Sequence, residues 1–336
     1  MPMLQVLKLA FALLALALLA GCAKPRAHYA DSWPEPRRCT AGSSAGVVYF
    51  QNWVTDPAKA VCEPIDAFGK ILDSAYQYVQ NTGAVDNLIV FIHGRGKHPQ
   101  KLIEENLMSR LQSENSAAVI AVHWPSYAGP LGYADTSARA AARDLEAVMR
   151  AYASHRRATL DAKRALRTTL LVHSMGNILF RAWALQADLS QYDDTLFDTV
   201  IQNAADIPPS DLGPWLADMR LSRQHYVTVN RDDRVLQASQ WLFGQGERLG
   251  RCMPRTGRPD HIHFFDFTAT DVGHRYYVGR RRSAGVTLFY ERLLDGRALP
   301  VAEGVDRRWY DRLGERGRTY AVTRDGAKPT INWCSG

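Results

Sequence analysis

The sequence predicts an α/β domain, a mainly parallel sheet with helices on both faces in a single unit. Three observations predict it. From residue 45 to about residue 295, short apolar runs alternate with stretches of helical periodicity. The runs NLIVFIH (87–93), AAVIAVH (117–123) and TTLLVH (168–173) are nearly continuous in apolar residues, as strands covered on both faces must be. No tandem repeat interrupts the alternation, so the units read as successive βαβ crossovers. Length alone, at 336 residues, allows either two domains or one large one. A composition of 46% hydrophobic and 22% charged residues excludes disordered, collagen-like and disulfide-dense chains.

The elements follow in order. Gly46–Phe50 is a short strand and Asn87–His93 a buried one. Residues 99–112 have the spacing of an amphipathic helix, and Ala117–His123 is the next strand. Asp135–Ala153 is a long helix, with Ala138, Ala141, Leu145, Val148 and Tyr152 on one face and Asp135 or Thr136 as its cap. The strand Thr168–His173 runs directly into a helix over Asn177–Gln186. Strands at Phe197–Asn203 and Tyr226–Asn230 bracket a helix near Ser210–Met219. His261–Thr268 is the last strand and Ala284–Asp295 the last helix. The charged, Gly-rich stretch from 299 to 336 reads as a surface-wrapping tail, which leaves 45–298 as the domain.

The N-terminus carries a different signal. Lys8 precedes an apolar run, Leu9–Ala20, that as a helix covers roughly 18 Å, short of the ~30 Å hydrocarbon core. A basic start, a short apolar stretch and small residues at its end describe a secretory signal over residues 1–21. It ends Leu19-Ala20-Gly21-Cys22, which resembles the lipobox of bacterial lipoproteins. That resemblance implies lipidation of Cys22 as the mature N-terminus, and Ala23 after it implies the outer membrane, facing the periplasm, over the inner. Residues 22–44, polar and Pro-bearing, then form a tether. Export agrees with the remaining cysteines, an even set of Cys39, Cys62, Cys252 and Cys334 in a disulfide-permissive compartment. The pairing expected is Cys39–Cys62 and Cys252–Cys334, and no CxxC spacing points to zinc or redox chemistry.

The net charge of +7 permits an anionic partner, either nucleic acid or a membrane surface. The Arg280-Arg281-Arg282 run is short and no nucleic-acid motif accompanies it, so the membrane is the partner expected.

The chemistry centres on Val172-His173-Ser174-Met175-Gly176. A buried strand ends at His173 and a helix begins at about Asn177, so Ser174 sits on a sharp strand-to-helix turn. Such a turn exposes a nucleophile above the carboxyl edge of a parallel sheet, next to the N–H groups of a helix start. Gly176 permits close strand–helix approach, while Val172 stands where G-x-S-x-G has its first glycine. One oxyanion donor is expected from Met175 N–H. The other is expected from the His93-Gly94-Arg95-Gly96 loop after an earlier strand, through Arg95 N–H. An acid and a histidine should follow in that order. Asp233, after the strand ending YVTVN, is the acid expected, with Asp206 after Asn203 as the competitor. His274, in the Gly273-His274-Arg275-Tyr276-Tyr277 loop, is the base expected. His261 and His263 share a strand face near Asp266, but without a third well-spaced ligand they read as an ordinary strand face and no metal is expected.

In one order the chain carries NLIVFIHGRG, AVHWPSYAGPLGYADTSARAA, LLVHSMGN, NAADIP, VNRDDRVL and GHRYY. Together these resemble a bacterial α/β-hydrolase family of unknown function within the esterase/lipase superfamily, over about residues 85–295. The element Trp124-Pro125-Ser126, with Tyr133 and Asp135 downstream, is the more family-specific part. The resemblance implies an α/β-hydrolase fold and a triad of Ser174, Asp233 and His274. The expected function is therefore a membrane-anchored serine hydrolase acting on a small-molecule or lipid ester, with no cofactor. A non-catalytic envelope lipoprotein that uses the scaffold for binding is the alternative. Trp124, Tyr127 and Tyr133 are open to two roles, acyl-site wall or core.

Overall fold

The structure is a computed structural model. It describes residues 45–335 apart from 54, 56–58, 84–86, 97–101, 103–106, 130–131, 162–165, 194, 245, 279–282, 298, 300–309, 313–317 and 323–330. The expected signal over 1–21, Cys22, the expected tether over 22–44, Cys39 and the Arg280–Arg282 run lie outside the described residues.

Among the described residues, ten strands form one sheet: β1 (Gly46–Phe50), β2 (Ala60–Pro64), β3 (Asn87–Ile92), β4 (Ala117–His123), β5 (Arg167–His173), β6 (Thr199–Asn203), β7 (His225–Val229), β8 (Ile262–Asp266), β9 (Tyr310–Arg312) and β10 (Arg318–Val322). Their spatial order is β2-β1-β4-β3-β5-β6-β7-β8-β10-β9. The run from β4 to β10 is parallel, and β1, β2 and β9 pair antiparallel at the two ends. The α-helices whose bounds fall among the described residues are α1 (Phe68–Thr82), α2 (Leu107–Asn115), α3 (Asp135–Asp161), α4 (Gly176–Ala184), α5 (Gly213–Asp218), α6 (Arg234–Phe243) and α7 (Ala284–Leu294). None among the described residues is long and apolar enough to cross a membrane.

The expected two-faced sheet is therefore present, and the alternation of each strand sets its two sides. Leu88, Val90 and Ile92 of β3 pack with α1, α3 and α4, while Ile89 and Phe91 pack with α2 and α7. Every residue of β3 and β4 is buried, which is why these strands lack a polar face in the sequence. Helix α3 buries Ala138, Ala141, Leu145, Val148 and Tyr152 as its spacing predicts, and it runs to Asp161, past the expected end at Ala153.

Three segments differ from expectation. Helix α6 fills a stretch in which no element is expected, whereas α2 overlaps the helix expected over 99–112, Leu102 being helical too and the other residues from 99 to 106 lying outside the described set. Elements β2 and α1 fill a stretch in which no element is expected. The segment expected as a surface-wrapping tail contributes β9 and β10. There β10 pairs with β8 and buries Tyr320, Ala321 and Val322.

The chain's end is then tied back by a Cys252–Cys334 disulfide with a Cα–Cα distance of 5.0 Å, as expected. Its arms also share backbone bonds, Met253 N–H to Asn332 O at 2.8 Å and Cys334 N–H to Met253 O at 2.9 Å.

The sequence order of the parallel strands places the site. From β3 the chain crosses to β4 on one side, then returns to β5 on the other. Helix α2 after β3 and α4 after β5 consequently lie on opposite faces. The crevice between such diverging strand ends is where open parallel sheets bind ligands. The two loops there are His93–Gly96 and His173–Gly176.

Candidate active site

Ser174 occupies the turn between β5 and α4 with φ at 54°, in the left-handed region that costs a non-glycine residue roughly 1–3 kcal/mol. The surroundings hold it there. Ser174 N–H donates to Asn203 O at 2.9 Å, and Ser174 O accepts from Asn177 N–H at 3.1 Å and Asp206 N–H at 3.2 Å. Asn177 Nδ2 adds a bond to the same carbonyl at 3.1 Å, while Gln202 Nε2 holds the Asn177 side-chain oxygen at 3.1 Å.

Two glycines are required by contact. A Cβ on Gly176 would lie 2.7 Å from both His93 O and Ile92 O, and one on Gly94 would lie 2.8 Å from Ser174 Cβ. The His93–Gly96 loop and the serine turn are thus in direct contact, as a donor loop and a nucleophile must be. Val172 lies wholly within the core on β5, so its bulk faces α-helical packing. Among the described residues, no hydrogen bond takes the Met175 N–H at the start of α4.

Asp233 and His274 come together. His274 Nδ1 lies 2.7 Å from Asp233 Oδ2, the carboxylate being fully buried and the ring largely so. The other oxygen, Oδ1, accepts from Val235 N–H and Leu236 N–H, both at 3.0 Å, so Asp233 also caps α6. The His274 ring packs beside His173, with centroids 4.6 Å apart. Among the described residues, no hydrogen bond joins Ser174 Oγ to His274, and the histidine meets the serine turn through His173.

Asp206, the competing acid, is engaged elsewhere. Its carboxylate lies 2.7 Å from Arg248 Nε and accepts from Ser239 Oγ at 2.8 and 2.9 Å. Burial raises its pKa from the ordinary value, and the Arg248 guanidinium opposes that rise.

The remaining expectations resolve individually. Trp124 is fully buried and donates from Nε1 to His93 O at 2.9 Å, which makes it core that supports the loop. Tyr127 and Tyr133 are half-buried. The Arg95 guanidinium sits 5.1 Å from the Tyr127 ring and 5.4 Å from that of Phe243, and Arg95 Nη2 donates to Gly129 O. His263 stacks between Tyr226 and Tyr320, His261 bonds Met219 O, and Asp266 accepts from Thr268 and Asn332 N–H groups. Each of the three has its own structural partner.

Sequence reasoning does not single out Asn203, His173 or Arg248. Asn203 braces the turn twice, through its carbonyl to Ser174 and through Nδ2 to His173 Nδ1 at 3.1 Å. Its motif position in NAADIP is the one signal that could have found it.

Burial keeps His173 neutral, well below its ordinary 6.5, and pushes His225 down to about 3. In the unfolded chain both protonate near 6.5, so the stabilisation they give is present above that pH and is lost as pH falls. Unfolding free energy is expected to drop by about 1.4 kcal/mol per pH unit for each histidine below 6.5. Urea titrations at pH 7.5, 6.0 and 5.0 measure that slope.

Residues 74–285 match the family model described as "Alpha/beta hydrolase of unknown function (DUF900)". Two solved structures are similar at low identity. One is a PEG-bound complex of a novel cold-adapted esterase from an Arctic intertidal metagenomic library, 16% identical, covering 80% of this chain and 100% of that one, with a TM-score of 0.35. The other is the apo form of Thermogutta terrifontis esterase 2, 11% identical, covering 63% of this chain and 80% of that one, with a TM-score of 0.24. No curated protein sequence matches the chain.

Proposed function

The chain belongs to the α/β-hydrolase family of unknown function whose model its residues 74–285 match, and from that premise we propose that it is a membrane-anchored serine ester hydrolase. The observation that carries the reading is the buried 2.7 Å contact between Asp233 and His274, beside a serine held at positive φ between a strand and a helix.

In this reading His274 Nε2 takes the Ser174 proton as Oγ attacks the ester carbonyl. Asp233 accepts from His274 Nδ1–H, which leaves Nε2 as the basic nitrogen and stabilises the imidazolium that forms. Met175 N–H and Arg95 N–H receive the developing oxyanion. His274 then protonates the departing alcohol, and a water activated by the same ring releases the acid from Ser174. No cofactor enters these steps. The crevice at the β3 and β5 ends, with Tyr127, Phe243 and Arg95 at its mouth, receives a small-molecule or lipid ester. Cys22 carries the lipid that holds the domain at the periplasmic face of the outer membrane, through the tether of residues 22–44.

A fluorophosphonate probe on the full chain tests the chemistry. Wild-type protein is expected to label and to turn over short-chain esters, and Ser174→Ala to lose both by at least about 10⁴-fold while staying folded. Folded wild-type protein that neither labels nor hydrolyses esters would overturn the reading and leave the binding-scaffold alternative. For the anchor, Cys22→Ala is expected to move the protein from the detergent phase to the aqueous phase in a phase-partition assay, and unchanged partition would refute lipidation there.

A further inference from the structure

The Trp124-Pro125-Ser126 segment leaves β4 beside the loop that follows β3, and the catalytic steps above do not use it. We propose that Ser126 is a positioning residue, one that aims the Arg95 N–H at the oxyanion; this rests on the reading of Ser174 as nucleophile.

The argument starts from one hydroxyl. Ser126 is fully buried, and its Oγ accepts from Gly96 N–H at 2.8 Å. Its single proton is shared between Gly94 O at 3.0 Å and Gly96 O at 3.2 Å. The side chain therefore grips the backbone on both sides of Arg95. Gly94 O has a second partner in His93 Nδ1 at 2.5 Å, and the His93 Nε2 lone pair faces Trp124 N–H at 3.3 Å.

The peptide between Gly94 and Arg95 is trans, since no cis bond occurs among the described residues. A trans peptide sends its N–H opposite to its carbonyl. With the Gly94 carbonyl drawn to Ser126, the Arg95 N–H points away from Ser126. It does so from the segment that touches the nucleophile, because a Cβ on Gly94 would lie 3.3 Å from Ser174 Oγ.

Glycines on both sides of Arg95 leave the backbone little intrinsic preference, so the plane of this peptide is set by what its carbonyl and its neighbour's N–H bond to. An oxyanion donor works only within about 2.7–3.1 Å of the oxyanion, so a rotated peptide loses the interaction without the loop leaving its place. The hydroxyl at 126 thus acts on the reaction through Arg95.

The test uses full-length Ser126→Ala and Ser126→Cys, the second keeping the size with a weak hydrogen-bonding group. Steady-state rates on a soluble short-chain ester are expected to show kcat reduced roughly 10–100-fold, below the loss for outright removal of a donor, with KM within about twofold. A trifluoromethyl ketone, which adds Ser174 Oγ and carries its oxygen as an oxyanion, is expected to bind more weakly in the same proportion. The matching methyl ketone, which does not add, is expected to bind unchanged. A folded variant with wild-type kcat overturns the proposal, as does equal weakening of both ketones, which would mark a general collapse of the site. If neither variant folds, Ser126 serves the fold and the proposal fails. Wild-type protein without Ser174-dependent turnover would defeat the functional reading first, and the Ser174→Ala control separates that outcome from the others.

Discussion

Asp233→Asn is expected to lower kcat by about 10³–10⁴-fold while leaving the fold and its stability nearly unchanged. The direction of the amide decides the result. Asp233 Oδ1 accepts from two backbone N–H groups at the start of α6, Val235 and Leu236, each at 3.0 Å. An asparagine must keep its oxygen there, since its nitrogen cannot accept, and Asn is as good a helix cap as Asp. The Nδ2 group is then forced toward His274 Nδ1, where the carboxylate oxygen now lies at 2.7 Å. A donor facing Nδ1 makes that nitrogen the acceptor and puts the ring proton on Nε2. His274 can then no longer take the serine proton. Asp206→Asn should change kcat far less, because its carboxylate bonds Arg248 and Ser239. Steady-state rates and fluorophosphonate labelling of both variants check the assignment. If Asp206→Asn proved the more damaging to kcat, with both proteins folded, Asp233 would lose its role.

The asymmetry between these two aspartates was only partly legible in the sequence. Both follow a strand, in the order a triad requires, and nothing in the local residues says which one reaches His274. The separation comes from Arg248, which lies in the long connection between α6 and β8. Its meeting with Asp206 is a long-range event that no periodicity records. By contrast, the strand-to-helix turn at Ser174 is legible because its signals are local: the apolar run Leu170–Val172, a small residue at 176 and a helix start within five residues.

The same distinction holds for the fold. The strands β3, β4 and β5 are almost wholly buried, so each carries an apolar run, Leu88–Ile92, Ala117–Val122 and Leu170–Val172, that can be read. Strand β2, AVCEP, contains Glu and Pro and pairs on one side alone, so its conformation is imposed by β1. Strand β10 depends likewise on β8, more than fifty residues earlier in the chain. Helix α1 is different: Phe68, Ile71, Leu72, Ala75, Tyr76 and Val79 form one buried face, and that signal was present to be read.

Arg248→Met is expected to cost about 3–5 kcal/mol of stability at neutral pH. Arg248 and Asp206 are 0% and 4% exposed, so removing the cation strands a carboxylate that water cannot reach. The pair also fastens two loops. Leu249 N–H bonds Ile207 O and Gly250 N–H bonds Ala205 O, both at 2.8 Å, and Asn230 N–H bonds Gly250 O at 2.8 Å just before Asp233. A side chain at 250 would meet Ala204 C and Ala205 N at 2.5 Å, so this approach depends on glycine. Tyr133 OH donates to Asp206 O at 2.6 Å, and its ring lies 5.3 Å from the guanidinium, which joins Tyr133 to the pair. The dependence on pH separates charge from packing. Burial already raises the Asp206 pKa above 3.8 and Arg248 holds it down, so the substitution raises it further. A folded-state pKa above the unfolded one gives stabilisation that is complete below 3.8 and is lost as pH rises through the folded value. The deficit of Arg248→Met should therefore be largest at pH 8 and shrink on acidification, measured against wild type at each pH. Adding Asp206→Asn removes the stranded charge and should recover most of the loss at pH 8. Urea unfolding of the three proteins at pH 8 and pH 5 decides it: a deficit that is equal at both, and is not relieved by Asp206→Asn, would mean that Arg248 acts through its packing on Tyr133.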